Sequence, residues 1–208
     1  MEKQIRLTLP IQIRKAENDP DNKEMIVEGY AFKYNEETVL YERDDGYQYK
    51  EIIERGSLKN ADIRDVPFKY NHDDSVMIVA RTRNGSLKLK DDDVGLKIEA
   101  RFIDTQTGRD LYKMIQEGLL DKMSFAFTEE ADANNDVYGK NSMLHRITQF
   151  KRLWDVSVVD IPAYDATEIY ARSIAQLENR ATHALEKASE DKRKRMMLRN
   201  KIDIILED

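Results

Sequence analysis

"DKMSFAFTEE", residues 121–130, is the stretch on which the reading of this chain turns. Met123, Phe125 and Phe127 recur at every second position, the period of a β-strand with one apolar face. Ser124 and Ala126 then point to the opposite face. A lone serine there can simply bond a backbone carbonyl. It becomes a nucleophile only where a base and an orienting acid converge on it. Alternation puts Ser124 on the solvent-facing side of the strand, with Met123, Phe125 and Phe127 as anchors behind it.

Working outward, "TGRDLYKMIQEGLL" (107–120) sets Leu111, Met114, Ile115 and Leu119 along a helical stripe, with Gly118 as its C-terminal cap. The polar "EEADANNDVYGKNS" (129–142) reads as a loop or hairpin tip. Near the N-terminus, Ile5, Leu7, Leu9, Ile11 and Ile13 alternate with polar residues, and Pro10 marks an edge strand. Asp45-Gly46 is a hairpin signal between two tyrosine-rich runs. Leu87 and Leu89 face Leu96, Ile98, Ala100 and Phe102 across a turn containing Gly95. Many short strands with one helix indicate a mainly β protein with helices, in the α+β class, built as a barrel or sandwich.

Beyond about residue 166 the texture changes. Ile174, Leu177, Ala181, Ala184, Leu185 and Ala188 recur at helical spacing, and neither glycine nor proline follows Pro162. A basic cluster (Lys192, Arg193, Lys194, Arg195) precedes an apolar end (Ile202, Ile204, Ile205, Leu206). Two domains are expected: a strand-rich unit over 1–167 and a helical arm over 168–208. The charge run fits either a solvated helical face or an amphipathic arm that docks on a partner.

Composition narrows the chemistry. Charged residues make up 36% and hydrophobic ones 40% of the 208 residues, the balance of a folded, well-solvated protein. A formal charge of −6 speaks against nucleic acid or an anionic membrane as partner. The absence of cysteine excludes disulfides, thiolate metal sites and cysteine catalysis. His72, His145 and His183 lack metal-ligand spacing, so neither metal nor cofactor is expected. No apolar run approaches membrane-spanning length, and "MEKQIRLTLP" (1–10) lacks the apolar core of a signal peptide. These features point to a reducing cytoplasm.

Two further residues bear on Ser124. His72 follows Phe68 and Tyr70 at strand spacing, so it shares their face if the strand continues; a turn at Asn71-His72-Asp73 is the plainer alternative. In "LWDVSVVDIPAYD" (153–165), Trp154, Val156 and Val158 take one face, and Leu153, Asp155, Ser157 and Val159 the other. A carboxylate between apolar flanks needs a partner. Lys151 or Arg152 would make it a salt bridge; the imidazole of His72 would make it a tautomer-setting acceptor.

Taken in order, "EGYAFKYN" (28–35), "EIIERGSL" (51–58), "YNHDD" (70–74), "KMSFAF" (122–127) and "LWDVSVVDIPAYDA" (153–166) resemble the tailed-phage prohead protease family over about residues 25–166. That family is similar in fold to the herpesvirus assemblins. The resemblance implies a closed β-barrel of assemblin-like type wrapped by helices, with Ser124 as nucleophile, His72 as base and Asp155 as acidic third member. It implies a serine endopeptidase acting inside the immature capsid, in the bacterial host's cytoplasm. Its partners would be the major capsid protein, a scaffold protein and, through self-cleavage, another copy of itself. The C-terminal arm would recruit it into the shell.

Three positions depart from the family pattern. Asp155 stands where glutamate is usual, Ala126 where glycine is usual, and Ala80-Arg81 where Gly-Arg is usual. Arg81, Arg146 and Arg152 are the candidate oxyanion donors. Ala126 and Asp155 also admit a different class of function: a non-catalytic capsid-assembly or scaffold protein that keeps the barrel.

Overall fold

In the computed structural model, residues 4–14, 24–76, 78–130, 136–160, 186–187, 189–190 and 192–194 are described, the first of these segments as backbone. The apolar face around which the fold is built is that of "KMSFAF". The strand β9 (Lys122–Glu129) runs between β12 (Phe150–Val159) and β1 (Gln4–Arg14). Met123, Phe125 and Phe127 are fully buried in the core, as alternation requires. Phe32, from β2 (Ile26–Lys33), lies 5.0 Å from Phe125 and 5.3 Å from Phe150, ring centre to ring centre. Phe127 and Phe150 meet edge-on at 4.7 Å. Aromatic contacts of this geometry add to the area they bury.

Eight strands are hydrogen-bonded side by side. From one edge the order is β6 (Ala80–Arg81), β5 (Pro67–Tyr70), β12, β9, β1, β2, β8 (Gly95–Arg101) and β7 (Leu87–Asp91). Leu87 and Leu89 stand opposite Ala100 and Ile98. A second sheet orders β10 (Asp136–Tyr138), β11 (Ser142–Ile147), β4 (Gln48–Ile53) and β3 (Thr38–Glu42). Gly46, at φ 79°, turns β3 into β4 as the Asp45-Gly46 pair suggests. Part of the "EEADANNDVYGKNS" segment is therefore strand: β10 pairs with β11.

Up to residue 160 the described residues are mainly β with one α-helix, but the sheets are not closed into a barrel. β6 and β7 are the two edges, and no ladder joins them among the described residues. The reason is local. β6 pairs with Pro67 and Phe68 over only two residues, and a 3-10 turn (Thr82–Asn84) then carries the chain out of the sheet.

β1 also differs from expectation. It is interior, pairing with β9 through Gln4–Pro10 and with β2 through Ile11–Arg14. Pro10 sits at the register shift where one partner gives way to the other. A residue without an N–H is tolerated at such an irregularity as well as at an edge.

The helix α1 (Gln106–Gln116) precedes β9. Thr105 caps it, its hydroxyl accepting the Gly108 N–H at 3.1 Å. Gly118, at φ 73°, ends the turn that follows. Its buried stripe is Gly108, Leu111, Tyr112 and Ile115. Met114 and Leu119 lie outside that stripe, and Leu119 is 72% exposed.

The chain divides into two compact units, Met1–Ile169 and Tyr170–Asp208. In the second, residues 186–187, 189–190 and 192–194 are helical and exposed, among them Lys192, Arg193 and Lys194. The expected apolar stripe from Ile174 to Ala188, His183, Arg195 and the apolar end at Ile202–Leu206 lie outside the described residues.

Candidate active site

The strand register assembles the site. Across β12 and β9, Ser157 stands opposite Ser124 and Asp155 opposite Ala126. Paired residues share a face, so these four side chains lie together on the side of the sheet away from the aromatic core. Simple alternation does not produce this arrangement. A register shift between Leu153 and Asp155 makes Trp154 an extra residue, and Leu153 and Val156 then both point into the core. Trp154 does not share the core face with Val156 and Val158. It is 37% exposed, its indole N–H donates to Thr128 Oγ1 at 2.7 Å, and the Arg152 guanidinium lies 3.9 Å from its ring centre.

His72 reaches the same face by a different device. β5 runs parallel to β12, with Phe68 level with Val156 and Tyr70 level with Val158. Continued as a strand, it would carry His72 to the core face, as its spacing from Phe68 and Tyr70 suggests. Asn71 and His72 instead adopt φ 50° and 56°. Two successive left-handed residues reverse the chain and swing the imidazole over to Ser124. Asparagine tolerates that region better than most residues.

The turn is tied down at several points. The Asn71 N–H donates to the Val158 carbonyl at 3.0 Å, and the Asp73 N–H to the Tyr70 carbonyl at 3.0 Å. The Asn71 side chain and Asp160 bond reciprocally, Nδ2 to Oδ1 at 2.8 Å and the Asp160 N–H to Asn71 Oδ1 at 3.1 Å. Tyr70 donates its hydroxyl to the same carboxylate at 2.5 Å, and that bond, together with partial burial, raises the phenol above its ordinary pKa.

The three residues singled out from sequence are thereby brought into hydrogen-bond contact. His72 Nε2 lies 2.6 Å from Ser124 Oγ, and His72 Nδ1 is hydrogen-bonded to Asp155 Oδ1. A carboxylate at Nδ1 keeps the proton on that nitrogen and leaves Nε2 free to accept from the serine hydroxyl. Ser157, which sequence spacing placed on the face of Asp155 without a role, donates to Asp155 Oδ1 at 3.1 Å and accepts the His72 backbone N–H at 3.2 Å. The period-2 spacing from Asp155 was the available signal for it.

Ser124 is not solvent-facing. It is 1% exposed, as is Asp155, because β9 has a strand on either side and the His72 turn over its second face. Ala126 is not among the residues with positive φ, so alanine sits there without backbone strain. The three arginines considered as oxyanion donors have other engagements. Arg81 bonds Asp65 (Nη2 to Oδ2 at 2.8 Å), Arg146 bonds Glu54 (Nε to Oε1 at 2.6 Å), and Arg152 stacks on Trp154.

A second buried histidine belongs to a separate cluster. Strand register sets Asp136, His145 and Glu51 side by side across β10, β11 and β4. His145 Nδ1 lies 2.5 Å from Asp136 Oδ1, and Nε2 lies 2.7 Å from Glu129 Oε2. Burial pulls its pKa down. The hydrogen bonds it donates to Asp136 and Glu129 and the charges of Glu129 and Glu51 outweigh this and raise it to about 9. Among the described residues no group of three or more acidic, histidine or cysteine side chains is arranged to hold a metal, and no helix is long and apolar enough to cross a membrane.

A serine, a histidine and an acid in hydrogen-bonded series is an arrangement that can support nucleophilic acyl transfer. The chain belongs to the caudovirus prohead serine protease family, whose model matches residues 10–180. No curated protein and no solved structure matches it. At the level of the family it is a capsid-maturation protease, of a kind that works within the procapsid on capsid or scaffold proteins.

Proposed function

We propose that this chain is a serine endopeptidase in which Ser124 attacks, His72 moves the proton and Asp155 orients the ring. Its substrates are scaffold protein or a scaffolding segment of the major capsid protein, and another copy of itself. The observation that carries this is the hydrogen-bonded series from Ser124 Oγ through both ring nitrogens of His72 to Asp155. His72 Nε2 takes the hydroxyl proton as the oxygen attacks a peptide carbonyl. The proton passes to the leaving amine, and water then releases the acyl group by the same route. With Ser124 only 1% exposed, a peptide reaches it by displacing part of its cover. Co-expression with the major capsid protein tests the reading: processed capsid protein should accumulate with the native chain and be absent with Ser124→Ala.

Asp155 has its own test. Asp155→Asn is expected to lower kcat by about 10²–10⁴-fold with little change in melting temperature, because the amide favours the wrong tautomer. A fall in melting temperature with an unchanged rate per folded molecule would reduce Asp155 to a structural role.

Residues 168–208 serve, in this reading, to recruit the enzyme into the precursor capsid. Their helical spacing and late apolar residues call for another surface on which to bury a stripe. Removing residues 172–208 should leave the strand-rich unit folded and weaken self-association or capsid incorporation. Light scattering and co-sedimentation with precursor capsids measure both. Unfolding of the strand-rich unit on truncation would place the arm in its core and end the recruitment idea.

A further inference from the structure

We infer that Ser157 is a positioning residue of this site, holding the base and the acid in register; the inference rests on the roles proposed for Ser124, His72 and Asp155. Its side chain is fully buried, and its hydroxyl touches both partners. It donates to Asp155 Oδ1 at 3.1 Å and accepts the His72 backbone N–H at 3.2 Å, and the same oxygen lies 3.2 Å from His72 Nδ1.

Two features of the site create the need for such a residue. His72 is a non-glycine residue in the left-handed region, a sparsely populated conformation that persists only where surrounding bonds over-determine it. The bond from its own N–H to Ser157 is one of those constraints, and it acts at the catalytic base itself. Asp155, in turn, has a short side chain and must keep one carboxylate oxygen on the ring nitrogen. A second donor on that same oxygen restricts its rotation. Ser157 meets both needs because it lies two residues from Asp155 on the same strand, hence on the same face, and directly opposite Ser124. Displacements of about 1 Å in such an arrangement are enough for losses near 10²-fold.

The test uses the full-length chain and a small fluorophosphonate, which forms a phosphorus–oxygen bond with an activated serine and expels fluoride, so that no peptide substrate has to be known. Mass spectrometry identifies the labelled residue and gives the rate. Ser157→Ala is expected to label at Ser124 about 10²-fold more slowly than the native chain, with a melting temperature close to native. Ser157→Thr, which keeps a hydroxyl, should recover part of the rate. In the double variant with Asp155→Asn the rate should match that of Asp155→Asn alone, since both act through the same ring. Labelling of Ser157→Ala at the native rate, or fully additive losses in the double variant, would overturn the inference.

A second measurement separates this from failure of the protease reading. The ring Nδ1 proton of His72, identified in NMR spectra as the downfield resonance missing from His72→Ala, should broaden or shift in Ser157→Ala. A native chain inert to the fluorophosphonate would sink the serine-hydrolase reading; that proton signal then still decides the role of Ser157. An unchanged resonance counts against it.

Discussion

Alanine in place of Ser124 or His72 is expected to slow cleavage of the capsid or scaffold substrate by about 10⁴–10⁶-fold while leaving the fold intact. The size of the effect follows from the geometry. In the proposed mechanism Ser124 Oγ and His72 Nε2, 2.6 Å apart, act as one proton-transfer unit, so that removing either member disables the other. The double variant should therefore be no slower than the slower single variant. Single-turnover cleavage by purified proteins, with folding checked by melting temperature, gives all three rates. Multiplied losses in the double variant would mean that the two side chains act independently. Robust processing by Ser124→Ala would end the assignment of the nucleophile.

The largest expected effect on stability lies at His145. Its pKa, about 9 in the folded protein against an ordinary 6.5, makes it an imidazolium at neutral pH, held between Asp136 and Glu129 with Glu51 beside it. Because the folded value is the higher one, the imidazolium stabilises the fold fully below about pH 6.5. That contribution declines as the pH rises and is lost through pH 9. A displacement of this size corresponds to on the order of 3 kcal/mol. His145→Leu leaves the neighbouring carboxylates without their buried cation, a change that typically costs about 3–5 kcal/mol. Urea unfolding at pH 7 and pH 9 should show a native chain that weakens with pH and a variant that is already weak and changes less. Parallel curves for the two proteins would show that His145 is not charged in the fold.

These two histidines show what was legible in the chain. The core face of β9 was readable because Met123, Phe125 and Phe127 obey the two-residue period that the strand backbone imposes, and period and burial agree. The hairpin at Asp45-Gly46 and the helix end at Gly118 were readable for the same kind of reason, since glycine with positive φ is a local requirement. Ser124, His72 and Asp155 could be named because ordered motifs carried them, but their meeting could not be derived from spacing. Nor did spacing show that Asp136, His145 and Glu51 stand side by side, for that depends on a parallel pairing between β4 and β11, strands about a hundred residues apart.

By itself, then, the sequence determined which residues alternate into the core, where glycine must turn the chain, and the family to which it belongs. Tertiary structure decided the parity of the site. One extra residue at Trp154 moves Leu153 into the core while Asp155 takes the opposite, covered face of the sheet, and two left-handed residues carry His72 across to meet it. It also decided that Pro10 lies inside the sheet, at a change of partner, and that the eight strands stay open. The physical reason is common to all of these. Alternation is a property of one strand's backbone, whereas bulges, changes of partner and left-handed turns are stabilised by strands distant in sequence, and each of them resets the alternation beyond it.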